Sequence, residues 1–295
     1  MRDLAYIPNR AARSLVVNKL GVLALVIPDI SNPFFPLLAR GAEAAARAAG
    51  YTLILGNTDE EFDAEDAFLR AVCALRVDGV LLAPSGRRSG ESLELLARQR
   101  IPVVLIDRDV DGVMNDVVRG ESRRAAALLT EHLIQHGHRR IGLISGPAEI
   151  STAEERERGF RDALREHELE ALPALMRRAP YTRQGGYRAG LSLLAEADND
   201  RPTAVVTANN FLGFGLIDAA REQNIRVPEN LAIVTFDDVE IVTDSPFFTC
   251  AAQPAEAMGR TAVERLIARL AGDESPVRET VLRTEVLIRR SCGCP

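Results

Sequence analysis

Three polar residues of the sequence stand where binding or acid–base chemistry could occur. Asp107, Asn209 and Asp237 each come directly after a short apolar run. Carboxylates and amides accept or donate hydrogen bonds to a small polar molecule, and Asp107 with Asp237 is the one candidate pair for general acid and general base work. The same residue types also cap strand ends or form Asx turns, so a structural role is the alternative.

Two shorter patterns have the spacing of metal ligands. His132 and His136 stand four residues apart on a predicted helix, and Cys292 and Cys294 flank one glycine near the C-terminal end. A structural zinc takes four ligands, and no neighbouring His or Cys pair completes either set. We therefore predict a polar helix end for the histidines and a free C-terminal tail with reduced thiols for the cysteines, with no metal and no cofactor.

The sequence contains no local signature of an enzyme. It has no nucleophile elbow, phosphate-binding loop, His-Glu-x-x-His zinc site or glycine-rich dinucleotide turn. We expect a binding protein rather than a catalyst.

Continuous apolar runs alternate with longer segments of helical periodicity. Continuous runs are typical of parallel strands buried on both faces, and intervening helices are typical of βαβ units. A break near residues 108–122 divides the runs into two series, so we predict an α/β protein of two doubly wound parallel-sheet lobes with a ligand cleft between them. The predicted strands are Leu20–Ile27, Thr52–Gly56, Gly79–Ala83, Pro102–Ile106, Arg140–Ser145, Thr203–Ala208 and Leu231–Phe236, with extended segments at Phe248–Pro254 and Arg278–Arg290.

Charge is distributed unevenly along the 295 residues. The net charge is −6, yet residues 1–19 carry Arg2, Arg10, Arg13 and Lys19 against Asp3 alone. An acidic body argues against general nucleic-acid coating, and the basic part is an N-terminal arm. No apolar stretch is long enough to span a membrane, and no export signal is evident. We expect a cytoplasmic protein.

Several spaced motifs resemble the LacI/GalR family of bacterial repressors. Tyr6–Leu15 is similar to the family's hinge helix, and Ile27–Phe35 to its first strand and following loop. Gly137–Gly142, Val205–Asn210, Val234–Asp238 and Gln253–Gly259 continue the resemblance in the family's order. Together they cover nearly the whole chain and imply a periplasmic-binding-protein-like (type I) core that senses an effector.

The resemblance implies a DNA contact at the hinge. Its residues would be Asn9, Arg10, Ala12, Arg13 and Leu15, with Leu15 as the apolar wedge that enters a base step of the minor groove. Family members carry a helix-turn-helix head in front of the hinge, and this chain starts at what resembles the end of that head. The alternative for the segment is an ordinary flexible basic arm.

The resemblance also assigns an effector pocket. Arg156 occupies the family's position for a ligand-clamping arginine, and Tyr181 that of an aromatic lid. A pocket of acids, amides, arginine and aromatic rings suits pentoses, hexoses, nucleosides or purines. The complete predicted set is Asn32, Phe34, Phe35, Asp107, Arg156, Tyr181, Asn209, Asp237 and Gln253.

These observations predict a ligand-responsive repressor core that controls operator binding allosterically as a homodimer, with the helix Pro36–Ala49 and nearby first-lobe surface in the dimer contact. We predict a hinge over residues 1–18, a first lobe over 19–118 plus 253–278, and a second lobe over 119–252 plus 279–295. Partners would be a sugar or nucleoside-like effector and operator DNA, without a membrane. The main alternative is a solute-binding protein for sugar uptake or chemosensing.

Overall fold

The computed structural model describes residues 20–195, 200–238 and 246–294. Twelve strands lie in these residues, and each apolar run predicted as a strand is one. The strands are β1 Val22–Ile27, β2 Thr52–Asn57, β3 Gly79–Leu82, β4 Val103–Ile106, β5 Asp116–Gly120, β6 Ile141–Ser145, β7 Met176–Arg178, β8 Ala204–Thr207, β9 Ala232–Phe236, β10 Thr249–Ala252, β11 Glu279–Leu282 and β12 Glu285–Leu287.

The strands form two six-stranded sheets of equivalent order. The first is β11-β5-β4-β3-β1-β2 and the second is β12-β10-β9-β8-β6-β7. The pairs among β1 to β5 are parallel, as are those among β6 to β10, whereas β12 runs antiparallel to β10. The predicted fold class of two parallel α/β sheets is confirmed, and β4 and β9 occupy equivalent places.

Eight helices lie among the described residues and connect the strands. They are α1 Phe34–Ala48, α2 Phe62–Leu75, α3 Ser89–Arg98, α4 Ser122–Gln135, α5 Ser151–Glu166, α6 Arg183–Leu194, α7 Asn210–Glu222 and α8 Ala255–Leu270. The sequence analysis missed α3, whose first turn reads Ser-Gly-Glu-Ser and hides the apolar face that Leu93 and Leu96 bury.

Two strands also escaped prediction. β5 lies inside the expected break at residues 108–122, because its buried residues alternate with partly exposed ones and give no continuous apolar run. β7 is a three-residue edge strand with two arginines. An edge strand needs no continuous apolar run, so β7 did not stand out in the sequence.

The described residues divide into two compact units. The first contains the chain up to Ile30, Leu38–Val118 and Glu256–Thr280, and the second contains Ser31–Leu37, Arg119–Ala255 and the chain from Val281 onward. Each central strand is buried on both faces, since β1, β3, β6, β8 and β9 expose almost no side chain. No helix in the described part of the chain is long and apolar enough to cross a membrane.

Helices of the second unit approach so closely that glycine is required between them. A Cβ atom on Gly159 of α5 would overlap the backbone carbonyl of Arg123 on α4. A Cβ atom on Gly215 of α7 would likewise overlap the carbonyl of Arg183 on α6. A backbone carbonyl cannot rotate away as a side chain can, so these sites tolerate no side chain without moving a helix.

A buried ion-pair group joins the first sheet to α8. Asp116 of β5 is 2% exposed, and its carboxylate accepts hydrogen bonds from Arg269 Nε at 2.7 Å and from the Arg278 N–H at 3.0 Å. Arg265 Nε lies 2.9 Å from the same carboxylate. Burial alone would raise the pKa of Asp116, but these hydrogen bonds and charges together lower it below its ordinary value.

Substitution of Gly159 by alanine should destabilise the second unit by about 1–3 kcal/mol, because the added methyl group forces α4 and α5 apart. Urea unfolding followed by circular dichroism measures this change. Gly90→Ala is the matched control, because the nearest atoms to its Cβ are side-chain methyl groups 3.8 Å away. It should be neutral or stabilising by up to about 1 kcal/mol. Equal effects of the two variants would contradict the close approach.

Asp116→Asn should lower the free energy of unfolding at pH 7 by about 3–5 kcal/mol, because it leaves two arginines beside a neutral amide. A carboxyl group whose pKa is lowered by folding stabilises the protein above its unfolded pKa, and this stabilisation is lost as the pH falls through the folded pKa. The difference between parent and variant should therefore shrink below about pH 4. Asp66→Asn, at a more exposed pair with Arg70, should change stability little at any pH.

Candidate functional site

Asp237 follows β9 in a conformation that few residues other than glycine adopt. Its φ angle is +66°, its N–H donates to the Ala251 carbonyl at 3.0 Å, and its side chain is buried. A left-handed aspartate costs free energy and persists where the surroundings hold it, often at functional sites. The next residue, Asp238, is neutralised by Arg289 through two hydrogen bonds of 2.6 and 2.8 Å. The two adjacent acids therefore have different surroundings.

Arg156 reaches the ends of β8 and β9 from α5. It is 4% exposed, its guanidinium carbon lies 4.1 Å from the centre of the Phe236 ring, and Nη1 donates to the Ala208 carbonyl at 2.5 Å. Within the described residues its Nε is buried and has no hydrogen-bond partner. Leaving a charged donor unsatisfied in the interior is costly, so this atom indicates a group that a ligand would supply.

Asn210, directly after Asn209, supplies a second unsatisfied atom. It is fully buried, and its Nδ2 donates to Asn32 Oδ1 at 3.2 Å, whereas its Oδ1 has no partner in the described part of the chain. Asn209 Oδ1 instead accepts the Leu212 N–H at 2.9 Å and caps α7. Asn209 belongs to the predicted site, whereas Asn210 does not. The adjacent pair of asparagines after an apolar run was the available signal.

Gln253, which follows β10, contacts Asp237. Its Nε2 donates to Asp237 Oδ1 at 2.9 Å, and its Oε1 is a third buried atom for which the described residues provide no partner. A Cβ atom on Gly120 would overlap this oxygen, so the glycine leaves room for it. We call Asn32, Arg156, Asn210, Asp237 and Gln253 the strand-end cluster. All five belong to the second unit.

The predicted aromatic residues pack tightly in the second unit. Phe34 and Phe35 are 4% and 3% exposed and meet edge to face, with ring centres 5.0 Å apart. Tyr181 is 7% exposed, and its ring lies where a Cβ on Gly146 would be. Gly146 is thus needed for the tyrosine to lie there, and the three rings are mostly enclosed by protein.

Asp107 belongs to the first unit and occupies the position there that corresponds to Asp237. It follows β4, the equivalent of β9, with the same φ of +66°, and its N–H donates to the Val118 carbonyl at 2.8 Å. Its buried neighbour Arg108 makes two hydrogen bonds to Glu60, at 2.6 and 2.7 Å. The sheet positions of the two aspartates are therefore equivalent, as the sequence predicted from their strand ends.

The first unit also buries a carboxyl group that the sequence analysis missed. Glu65 of α2 is fully buried, and its Oε2 accepts the Ser85 N–H at 2.8 Å and the Ser89 hydroxyl at 2.9 Å. Burial raises the pKa of Glu65, and the hydrogen bonds from Ser85 and Ser89 offset this only in part. Glu65 lies in a helix with other acidic residues, so its sequence context did not distinguish it.

Hydrogen-bond donors and acceptors dominate the strand-end cluster. An arginine, a carboxylate and three amides can bind hydroxyl and ring N–H groups of a small molecule, and none of them is a nucleophile paired with a base. The predicted hinge residues Asn9, Arg10, Ala12, Arg13 and Leu15 lie outside the described residues. Their DNA contact stays a sequence-based prediction.

Comparison with known proteins gives consistent relatives. A family model described as a periplasmic binding protein-like domain matches residues 130–292, which is more than half of the chain. The HTH-type transcriptional repressor PurR of Photobacterium profundum is 31% identical over 98% of this chain and 86% of its own length. The ribose operon repressor of Halalkalibacterium halodurans is 32% identical over 99% of this chain and 85% of its own.

Solved structures agree with these relatives. A LacI family transcriptional regulator from Enterococcus faecium with bound ribose is 28% identical, with a TM-score of 0.79 over 92% of this chain and 98% of that one. The relatives are repressors and regulators, which confirms the prediction that this protein is not an enzyme. The predicted resemblance is also confirmed, and the chain belongs to the LacI family of transcriptional regulators, with the family's periplasmic-binding-protein-like effector core.

Proposed function

We propose that this chain is the effector-sensing core of a repressor, and that the strand-end cluster binds a sugar or nucleoside-like effector. The observation that carries the proposal is a set of three buried polar atoms without partners in the described residues: Arg156 Nε, Asn210 Oδ1 and Gln253 Oε1. One is a donor and two are acceptors. Hydroxyl groups of a bound molecule can pair with either kind of atom, because each hydroxyl both donates and accepts.

Two further features support a sugar. The carboxylate of Asp237 can accept hydrogen bonds from two vicinal hydroxyls, and Gln253 holds it in place through Oδ1. Among the relatives, the Enterococcus faecium regulator binds ribose and the Halalkalibacterium halodurans protein is a ribose operon repressor. A nucleoside-like effector presents the same ribose hydroxyls with added ring nitrogens. The predicted residues Asn32, Phe34, Phe35, Tyr181 and Asn209 of the second unit would surround the bound molecule. The effector contact of Asp107, in the first unit, stays a sequence-based prediction.

The proposed activity is a two-state switch. Effector binding favours one state of the core, and operator affinity changes by the ratio of the effector's affinities for the two states. Such a regulator acts in the cytoplasm, where the DNA lies. A solute-binding protein is the alternative, and the regulator relatives weigh against it because they match nearly the full length of this chain.

We further propose that two copies assemble, because a palindromic operator is read by a twofold dimer. The sequence predicted a contact through α1, whose outward side carries Arg40, Glu43 and Arg47 in ion pairs. A better surface for a second copy lies in the second unit. There a groove of about 970 Å³ is lined by the apolar residues Phe214, Ile217, Ile225, Val227 and Phe247 and by the charged residues Arg183, Asp218, Arg221, Arg226 and Glu229.

Mixed apolar and charged linings are typical of interfaces between subunits. The charges also include both signs, so a twofold axis can place an arginine of one copy beside an acid of the other. Asp218 already binds Arg183 within one copy through hydrogen bonds of 2.6 and 2.8 Å. This ion pair of the rim is therefore formed within a single copy.

Arg156→Ala should weaken effector binding about 10- to 100-fold, because a hydrogen bond to a charged group contributes about 1.5–3 kcal/mol. Asp237→Ala should do the same. D-ribose, D-glucose, adenosine and adenine are screened by thermal shift, and the best ligand is measured by calorimetry. Arg158→Ala is the control, because Arg158 lies on the same helix with 59% of its side chain exposed. A ligand that binds both site variants as tightly as the parent would disprove the proposed site.

Ile217→Glu should convert the dimer to a monomer, because a carboxylate in the groove must lose its hydration on assembly. Sedimentation velocity at micromolar concentration measures the change. Ala44→Glu, on the exposed side of α1, should leave the dimer intact. The reverse result would place the interface on α1, and a monomeric parent would reject the dimer altogether.

A further inference from the structure

Two half-motifs that are far apart in the sequence meet in the second unit. His132 lies near the C-terminal end of α4, whereas Cys292 ends a 3-10 helix at Arg290–Cys292 and Cys294 follows it. Cys294 Sγ is 3.3 Å from His132 Nε2. The ligand atoms of His132, Cys292 and Cys294 all lie within 4.8 Å of one another.

This arrangement has nearly the dimensions of a zinc site. With Zn–S bonds of about 2.3 Å and Zn–N bonds of about 2.0–2.1 Å, a tetrahedral site separates two sulfurs by about 3.8 Å and a sulfur from a nitrogen by about 3.6 Å. The observed group therefore needs movements of about 1 Å or less to surround an ion. Two thiolates and one imidazole are donors that bind zinc well, whereas magnesium and calcium bind mainly oxygen donors.

The surrounding residues keep the three ligands in place. Cys292 is buried, and the Thr249 hydroxyl donates to its sulfur at 3.1 Å. Burial, followed by the charges of His136 and His138, lowers the pKa of His132. Burial, followed by the hydrogen bond with Cys292, raises the pKa of Cys294 to about 12, so a metal ion must displace the proton of this thiol. Helix α4 fixes the position of His132. Cys292 and Cys294 are kept close because only Gly293 separates them.

We propose that His132, Cys292 and Cys294 bind one Zn²⁺ ion, with water in the fourth position. On binding, each thiol releases its proton to solvent and each thiolate forms one bond to the ion. His136 is not assigned as a ligand, although its ring centre lies 4.5 Å from that of His132, because its nitrogens are outside the group of close donor atoms.

The site would anchor the last described residues to α4. The same segment carries Arg289, which holds Asp238 beside the strand-end cluster, and Ser291, whose hydroxyl donates to the Ile233 carbonyl at 2.6 Å. A metal bound here would therefore stabilise a segment that packs against β9 and β10. Its binding does not depend on the proposed effector.

The test uses the purified chain, reduced with a phosphine and freed of metal, and titrated with Co²⁺ and then with Zn²⁺. We expect one Co²⁺ per chain with a thiolate-to-cobalt charge-transfer band in the near ultraviolet, and displacement of that band by Zn²⁺. Cys292→Ser, Cys294→Ser and His132→Gln should each weaken binding at least about 100-fold, which is the upper end of the effect of losing an outer-shell partner. Zn²⁺ should raise the melting temperature of the parent but not of these three variants.

Matched variants separate coordination from folding. Cys73→Ser, on a half-buried cysteine of the first unit, and His136→Ala should both keep the band and the stoichiometry. Circular dichroism of every metal-free variant identifies any variant that fails to fold. Cys294→Ser should perturb folding least, because Cys294 is partly exposed. The proposal would be overturned if the reduced parent bound no metal, or if the cobalt band survived loss of both cysteines. It would also be overturned if the thiols did nothing but form a Cys292–Cys294 disulfide.

Discussion

Burial of parallel strands on both faces is the constraint on which this structure depends. A strand covered by helices on both sides must be apolar along its whole length, and it can become polar only where it leaves the sheet. β6, β8 and β9 therefore have no polar surface to offer until their carboxyl ends. Buried polar residues such as Asn209, Asn210 and Asp237 therefore come just after these strands, where the sheet no longer excludes them.

The equivalence of the two sheets shows the same constraint acting twice. Asp107 and Asp237 follow equivalent strands, adopt the same left-handed backbone, and donate their N–H groups to the neighbouring strand. Their neighbours differ, since Arg108 binds Glu60 whereas Asp238 binds Arg289. The repeated backbone thus provides one position per unit for an acid, and the residues around it decide how that acid is used.

The C-terminal segment connects features that would otherwise be unrelated. Arg289 neutralises Asp238, and Ser291 bonds to β9 and to the N–H of Thr249 on β10. Cys292 lies among the buried apolar residues that pack with α4. A segment that resembles a free tail in the sequence is therefore part of the support of the second sheet, which explains how the two cysteines come to lie beside His132.

The sequence by itself determined the fold class, the apolar strands, most helices and the strand-end positions of Asp107 and Asp237, because burial leaves a periodic record along the chain. It left out α3, β5 and β7, whose patterns are short or mixed. Only the tertiary structure decided that Asn209 caps a helix and that the side-chain oxygen of Asn210 has no hydrogen-bond partner among the residues that the structure describes. It also decided that Glu65 is buried and that His132 lies beside Cys292 and Cys294. Such facts depend on side-chain direction and on contacts between residues far apart in the chain, and neither leaves a local pattern in the sequence.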